Sequence, residues 1–209
     1  MSNIEASWEF DRWAPSYDSS VASSTTYYAR YEEVLDFVAE TAGAAPGKRM
    51  LDIGTGTGNL ALRCMECGAS VVGLDPSPGM LEQAKAKSAG KLNVEFVVAD
   101  VPFLRIHFSD LSFDAVVSTY AFHHVRNEVK PECVLEMLRV LKRGGMLVLG
   151  DLAFQDMESE KKALKEYDWL EEEFFTVIEQ LQPVFAESGM ELDCRQFTPV
   201  TWVLWARKP

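Results

Sequence analysis

Short apolar segments alternate along this chain with amphipathic segments, and glycine or proline residues separate them. The apolar segments predict buried strands at about 49–54, 70–75, 94–98, 113–118 and 146–150. Helices are predicted between these strands from their boundary residues: at about 58–67, ended by Gly68, from Pro76 to near Ser88, opened by prolines, and at about 131–141, ended by Arg143-Gly144-Gly145. Strands that alternate with helices at this spacing predict a parallel sheet with helices on both faces.

Further helices are predicted in the N-terminal and C-terminal parts of the chain. A helix is expected from Thr25 or Thr26 to Thr41, because apolar residues recur there with a helical period. We expect residues 1–45 to form a helical cap that acts as a lid. The segment 156–188 is predicted to be helical, and its charge run favours a solvated helix face.

Two further strands are predicted near the C-terminus, at about 190–197 and 200–207. Only Thr198 and Pro199 separate them, so they must be antiparallel. The last strand is apolar on both faces and is therefore expected inside the sheet. The result is one α/β domain over 1–209, with a Rossmann-like core at 46–209. Its seven-stranded mixed sheet has the order 3-2-1-4-5-7-6.

Composition limits the partners. The chain has 209 residues, 47% of them hydrophobic, and a formal net charge of −12. Such an acidic surface repels phosphate groups, so neither nucleic acid nor an anionic membrane is expected as a partner. The N-terminus has no secretory signal and no apolar segment approaches a membrane span, so a cytoplasmic protein is expected, as a monomer or homodimer. Cys64 and Cys67 lack two further nearby ligands, so no metal site is expected.

A glycine-rich segment indicates what kind of ligand the chain binds. Residues 50–59 read MLDIGTGTGN, in which a strand leads into a glycine loop and a helix, and the next strand ends at Asp75. An acid about 20 residues beyond the first glycine is typical of a nucleoside cofactor site. Asp52, just before the loop, would disfavour a pyrophosphate and favour a cationic cofactor tail. The GTGTG spacing also differs from that of dinucleotide sites, so a dehydrogenase is the weaker alternative.

The chain resembles the class I S-adenosylmethionine-dependent methyltransferases in LDIGTGTGNLA, VVGLDPSPGML, Asp100, FDAVVSTYAFHHV and LKRGGMLVLGD. The segment VSTYAFHH, together with the terminal WVLW, is similar to the smaller group of YrrT-like bacterial methyltransferases. This resemblance implies S-adenosylmethionine as cofactor and S-adenosylhomocysteine as product. The implied cofactor residues are Asp52, Gly54, Thr55, Gly56, Asn59, Asp75, Pro76, Met80, Asp100, Val101 and Ser118.

Each of these residues has an expected role. The glycine loop would hold the methionyl part, Asp75 the ribose hydroxyls and Met80 the adenine face. Asp100 and the backbone of Val101 would bind the adenine edge, and Ser118 would face the methyl donor. The structural alternatives are that Asp52 caps a helix, that Asp100 is a turn residue and that Met80 belongs to the core.

Aromatic and histidine residues are the candidates for the acceptor side. Tyr120, His123 and His124 follow the fourth strand, where one of them could orient or deprotonate the acceptor. The alternative is a histidine packed under the loop. Four aromatic residues of the cap are the candidate lid: Trp13, Tyr17, Tyr27 and Tyr28. They could instead tie the first helix to the core.

The segment Ser118-Thr119-Tyr120-Ala121 lacks the Asn/Asp-Pro-Pro-aromatic motif of base and glutamine methyltransferases. A small molecule is therefore the expected acceptor. The alternative function is a non-catalytic sensor or assembly subunit that binds the same cofactor, because these motifs describe the cofactor half only.

Overall fold

The computed structural model describes residues 4–99, 108–170 and 173–209. The helices are α1 (Ile4–Trp13), α2 (Tyr17–Ser23), α3 (Tyr31–Thr41), α4 (Asn59–Glu66), α5 (Pro78–Lys87), α6 (Lys130–Val140), α7 (Met157–Glu166) and α8 (Ile178–Glu187). The strands are β1 (Arg49–Ile53), β2 (Ser70–Asp75), β3 (Val94–Val98), β4 (Phe113–Thr119), β5 (Leu141–Phe154), β6 (Thr176–Val177), β7 (Asp193–Gln196) and β8 (Thr201–Arg207). Short 3₁₀ helices cover Ala14–Ser16 and Phe122–His124.

The sheet has the strand order β3-β2-β1-β4-β5-β8-β7, and the short strand β6 pairs with the end of β5. Strands β1 to β5 are parallel to one another, whereas β8 is antiparallel to both β5 and β7. The predicted fold class and strand order are thus confirmed, with β6 as an addition. The last strand lies inside the sheet because both of its faces are covered.

Each face of the sheet carries its own core. Along β1, Met50 packs into a cluster that includes Val34 and Leu60, whereas the next residue, Leu51, packs into a cluster that includes Met137. Successive side chains of a strand point to opposite faces, so one short strand supplies both cores. The helices α3 and α4 cover the first face, and α6 and α8 cover the second. Within the described residues, no helix is long and apolar enough to cross a membrane.

Several predicted boundaries were wrong. Helix α3 begins at Tyr31, because Arg30 has a left-handed backbone (φ +61°) that ends the preceding turns. The segment predicted to be helical over 156–188 is divided: α7 ends at Glu166, and β6 precedes α8. Strand β5 is much longer than predicted at both ends, because Leu141 pairs with Phe113 and Ala153 with Thr176.

Candidate cofactor and acceptor site

A cavity of about 170 Å³ opens at the carboxyl ends of β1, β2 and β4. This edge is where ligands bind in open α/β sheets. Its lining residues are Phe10, Trp13, Tyr17, Tyr28, Tyr31, Ile53, Gly54, Thr55, Gly56, Thr57, Asn59, Leu60, Leu74, Asp75, Pro76, Met80, Ala99, Ser118, Thr119, Tyr120, Ala121, Phe122, His124 and Val125. The cavity therefore joins the glycine loop to the segment after β4 and to the N-terminal cap.

The glycine loop is held by the next strand. The backbone N–H groups of Gly54 and Thr55 both donate to the Leu74 carbonyl, at 2.8 and 2.9 Å. Gly54 and Gly56 have φ values of +67° and +54°, a region that favours glycine. A Cβ on Gly54 would lie 2.3 Å from the Ala121 Cβ, whereas one on Gly56 would meet no atom within 4 Å. The close approach of the loop to the post-β4 segment therefore requires glycine at position 54.

We expect Gly54→Ala to lower the free energy of unfolding by about 2–4 kcal/mol, from left-handed strain of about 1 kcal/mol plus overpacking of about 1–3 kcal/mol. Chemical denaturation would measure the loss. The double variant Gly54→Ala/Ala121→Gly should recover the overpacking part, because it removes the clashing Cβ. Gly144→Ala is the matched control, since Gly144 has φ +74° and open space around its Cα. Equal losses for Gly54→Ala and Gly144→Ala would contradict the argument.

Asp75 links the loop to the helix that follows β2. Its Oδ2 accepts from the backbone N–H of Gly56 at 2.9 Å, and its Oδ1 accepts from that of Ser77 at 2.8 Å. These bonds orient the carboxylate at the cavity wall, which Asp75, Pro76 and Met80 all line. The buried Ser77 caps α5 by accepting from the Met80 N–H at 3.1 Å.

The side chains of Asp52 and Ser118 both form hydrogen bonds within the protein. Asp52 is buried beneath the loop and accepts from the Thr55 hydroxyl at 2.7 Å, and it is not among the lining residues. The pKa of Asp52 is raised to about 7, mainly by burial and also by the nearby Asp75, whereas the Thr55 hydroxyl opposes the shift. The Ser118 hydroxyl donates to the Ile53 carbonyl at 2.7 Å, and so ties β4 to β1 at the cavity wall.

The N-terminal cap is joined to the cofactor edge by two aspartates. Asp11 accepts from the Ser77 hydroxyl at 2.6 Å and from the Gly79 N–H at 2.8 Å, which places its charge at the start of α5. Asp18 accepts from the Thr57 hydroxyl at 2.6 Å and from the Asn59 amide at 3.0 Å.

Lys87 completes this second contact, because its ammonium donates to Asp18 Oδ2 at 2.8 Å and to Asn59 Oδ1 at 2.6 Å. Burial opposes ionisation of Asp18, but the hydrogen bonds from Lys87, Thr57 and Asn59 outweigh it and lower its pKa. The cap is therefore attached at the starts of the two helices that follow β1 and β2.

The predicted lid residues separate into two groups. Trp13, Tyr17 and Tyr28 line the cavity, with the Trp13 and Tyr17 ring centroids 4.8 Å apart. Tyr27 does not line it and packs edge-on against Trp169 at 5.3 Å. Phe10 and Tyr31 also line the cavity, although the sequence had not placed either of them in the site.

The two adjacent histidines occupy different environments. His123 is buried, and its Nδ1 lies 2.5 Å from Asp151 Oδ1. Asp151 Oδ2 accepts from the backbone N–H groups of Ala121, Phe122 and His123 at 2.6–3.2 Å. Burial alone would raise the pKa of Asp151, but His123 and the hydrogen bond from the Leu152 backbone N–H lower it. Asp151 thus shapes the whole post-β4 segment, and the predicted alternative of a histidine packed under the loop describes His123.

His124 lines the cavity, where the Phe10 ring contacts it edge-on with centroids 5.0 Å apart. Its Nδ1 lies 3.4 Å from Glu173 Oε2. Burial and the adjacent His123 lower the pKa of His124, and Glu173 opposes this shift. A neutral imidazole is therefore favoured at the cavity. Tyr120 also lines it, with its pKa raised by burial and by the charge of Asp151, so its hydroxyl stays protonated.

Four of the residues that organise the site were not predicted from sequence patterns: Asp11, Asp18, Asp151 and Glu173. Asp151 had a recognisable signal, because it is an acid directly after the strand predicted at 146–150. The other three acids lie in helical or irregular segments where no pattern marks them. Asp100 and Val101 lie outside the described residues. Within the described chain, His123, His124 and Glu173 are close enough to be considered as metal ligands. His123 and His124 are also in ring contact, with centroids 4.0 Å apart.

Comparison with known proteins gives a consistent result. Residues 50–145 match the profile of a family described as "Methyltransferase domain". The chain is 34% identical over 212 residues to an uncharacterized methyltransferase of Geobacillus sp. (strain WCH70), which covers 95% of this chain and 96% of the relative.

Two solved structures share the fold at 19% identity. The DhpI-SAM-HEP complex has a TM-score of 0.71 and covers 99% of both chains. The [4+2]-cyclase SpnF has a TM-score of 0.79 and covers 100% of this chain and 97% of its own.

Proposed function

The chain belongs to the class I S-adenosylmethionine-dependent methyltransferases, and on that premise we propose that its methyl acceptor is a small molecule that binds in the cavity beneath the N-terminal cap. The observation that supports a small acceptor is the cap itself. Asp11 and Asp18 attach it directly over the cofactor edge. A site covered in this way suits a compact ligand better than a macromolecule. We also propose that the chain acts as one domain in the cytoplasm, as a monomer or homodimer, without nucleic-acid or membrane partners.

For the cofactor half, we propose the roles that the sequence suggests. The backbone of Gly54, Thr55 and Gly56 would hold the methionyl part, and Asp75 would accept from the ribose hydroxyls. Pro76 and Met80 line the adenine side, where Asp100 and Val101 are also proposed. Asn59 and Ser118 would act at the methionyl end, and Asp52 would act by holding Thr55 beneath the loop.

For the acceptor half, His124 is the candidate base because it lines the cavity as a neutral imidazole. His123 is proposed as a positioning residue, since it is buried and paired with Asp151. Tyr120, Trp13, Tyr17 and Tyr28 would form the wall, and Tyr27 would support the cap through Trp169. Methyl transfer from a sulfonium is an in-line displacement, so a shaped wall that aligns the acceptor accounts for much of the rate.

Turnover distinguishes an enzyme from the alternative of a non-catalytic sensor. We expect the protein, incubated with isotope-labelled S-adenosylmethionine and a pool of small metabolites, to form a labelled methylated product detectable by mass spectrometry. His124→Ala should lower its rate by about 100-fold or more, the usual contribution of a general base. Lys165→Ala, on the exposed side of α7, is the control. Tight cofactor binding with no labelled product from any pool would favour the sensor.

A further inference from the structure

The acceptor end of the cavity has an aromatic wall. Rings from the cap meet rings from the segment after β4: Tyr28 packs against Tyr120 at 5.2 Å, and Phe10 against His124 at 5.0 Å. Trp13 and Tyr17 extend this wall. The faces of such rings attract cations through their quadrupoles. Among the described residues that line the cavity, none is a lysine or an arginine.

Two carboxylates lie directly behind this wall. Asp151 pairs with His123 at 2.5 Å, and Glu173 with His124 at 3.4 Å. Carboxyl groups in proteins ordinarily ionise well below neutral pH, so two acids in this position bring negative charge to the acceptor end of the cavity.

This negative charge acts on the cavity itself. Burial raises the pKa of the Tyr28 hydroxyl to about 12, and both Asp151 and Glu173 contribute to that shift. Lys130 is a nearby cation, but its ammonium donates to the Asn127 side chain at 2.7 Å and to the Phe174 carbonyl, and it does not line the cavity. The acceptor end thus offers aromatic faces and negative charge to a ligand.

We propose that the methyl acceptor is a small organic amine, which binds as its ammonium ion between the aromatic wall and the His124–Glu173 pair. This inference rests on the proposed function. Glu173 is then a specificity residue: its charge favours a cationic acceptor over a neutral or anionic one of the same shape. A carboxylate or phosphate in the same place would be repelled by Glu173 and Asp151.

The chemistry balances without a further reactant. The positive sulfonium beside the bound ammonium favours loss of a proton from the nitrogen. His124 takes that proton and releases it to solvent beside the half-buried Glu173, whose side chain is 27% exposed. The nitrogen lone pair forms the new N–C bond as the C–S bond breaks, which leaves the neutral thioether S-adenosylhomocysteine. The product is the methylated ammonium ion, and one proton is released for each methyl group transferred.

Three probes of similar shape but different charge test this inference: benzylamine, benzyl alcohol and benzoate. Each would be titrated by calorimetry, near neutral pH, into the protein saturated with S-adenosylhomocysteine. We expect benzylamine to bind at least about 10-fold more tightly than the other two, the effect of one unscreened charge interaction. Glu173→Gln should remove most of this preference and leave the affinity for benzyl alcohol unchanged. Glu191→Gln, an exposed residue with the same change in charge, should retain the preference.

The results of these titrations distinguish a wrong proposed function from a wrong acceptor class. If S-adenosylhomocysteine itself does not bind, the proposed function is wrong, and this inference is wrong with it. If it binds, but benzylamine does not bind or is matched by benzyl alcohol or benzoate, the amine acceptor alone is overturned. Retention of the full benzylamine preference by Glu173→Gln would also overturn it.

Discussion

Replacing Asp151 by alanine is expected to lower the free energy of unfolding by about 3–5 kcal/mol, the loss typical when one partner of a buried charged pair is removed. Asp151 is 2% exposed, and its Oδ2 alone accepts from the backbone N–H groups of Ala121, Phe122 and His123. The variant leaves those donors and His123 Nδ1 without their buried acceptor. Urea denaturation followed by circular dichroism would measure the loss.

Two variants separate this loss from a general effect of charge. Asp151→Asn should lose less, because its amide oxygen can still accept from part of the post-β4 segment. Asp193→Ala removes an equal charge from the exposed strand β7 and should change stability little. If Asp151→Ala were no less stable than Asp193→Ala, the buried pair would not organise this segment.

The pH dependence of stability follows from the same contacts. The pKa of Asp151 is lower in the folded protein than in the unfolded chain. Its contribution is therefore complete above the unfolded value of about 3.9 and is lost as the pH falls below it. Asp151→Asn should accordingly flatten the acid limb of the stability profile.

The sequence predicted the sheet because local patterns determine it. Apolar segments such as 146–150 lie buried in the sheet, and the continuous apolar character of Thr201–Arg207 indicated an interior position beside β5. The predicted boundaries failed where tertiary contacts override local pattern. Arg30 adopts a left-handed backbone and donates to the distant Phe197 carbonyl at 2.8 Å, which no helical periodicity reveals.

Some residues of the candidate site could be predicted from local sequence patterns, and others could not. The glycine loop and Asp75 follow from spacing along one crossover, and the structure places them together on the cavity wall. The partners of the histidines could not be found in this way, because Glu173 and Asp151 are 49 and 28 residues away from them along the chain. Their pairing depends on how β5 and the segment before β6 return to the post-β4 turn, which is a property of topology.

Asp75→Ala should raise the dissociation constant for S-adenosylhomocysteine by about 100-fold or more, if the carboxylate accepts from the ribose hydroxyls as we propose. Hydrogen bonds to a charged group contribute about 1.5–3 kcal/mol each, and a loss of about 2.7 kcal/mol is 100-fold in affinity. The substitution also frees the Gly56 and Ser77 N–H groups, which hold the loop in shape. Isothermal calorimetry at constant ionic strength would measure the change.

Two controls make the result specific to this carboxylate. Asp75→Asn keeps an acceptor for one of the two backbone groups but removes the charge, so its affinity should fall between those of the wild type and Asp75→Ala. Asp193→Ala changes the net charge equally at an exposed position and should bind the cofactor product as the wild type does. Wild-type affinity in a folded Asp75→Ala protein would show that the ribose is held elsewhere, and the orientation of the cofactor argued from this strand end would be wrong.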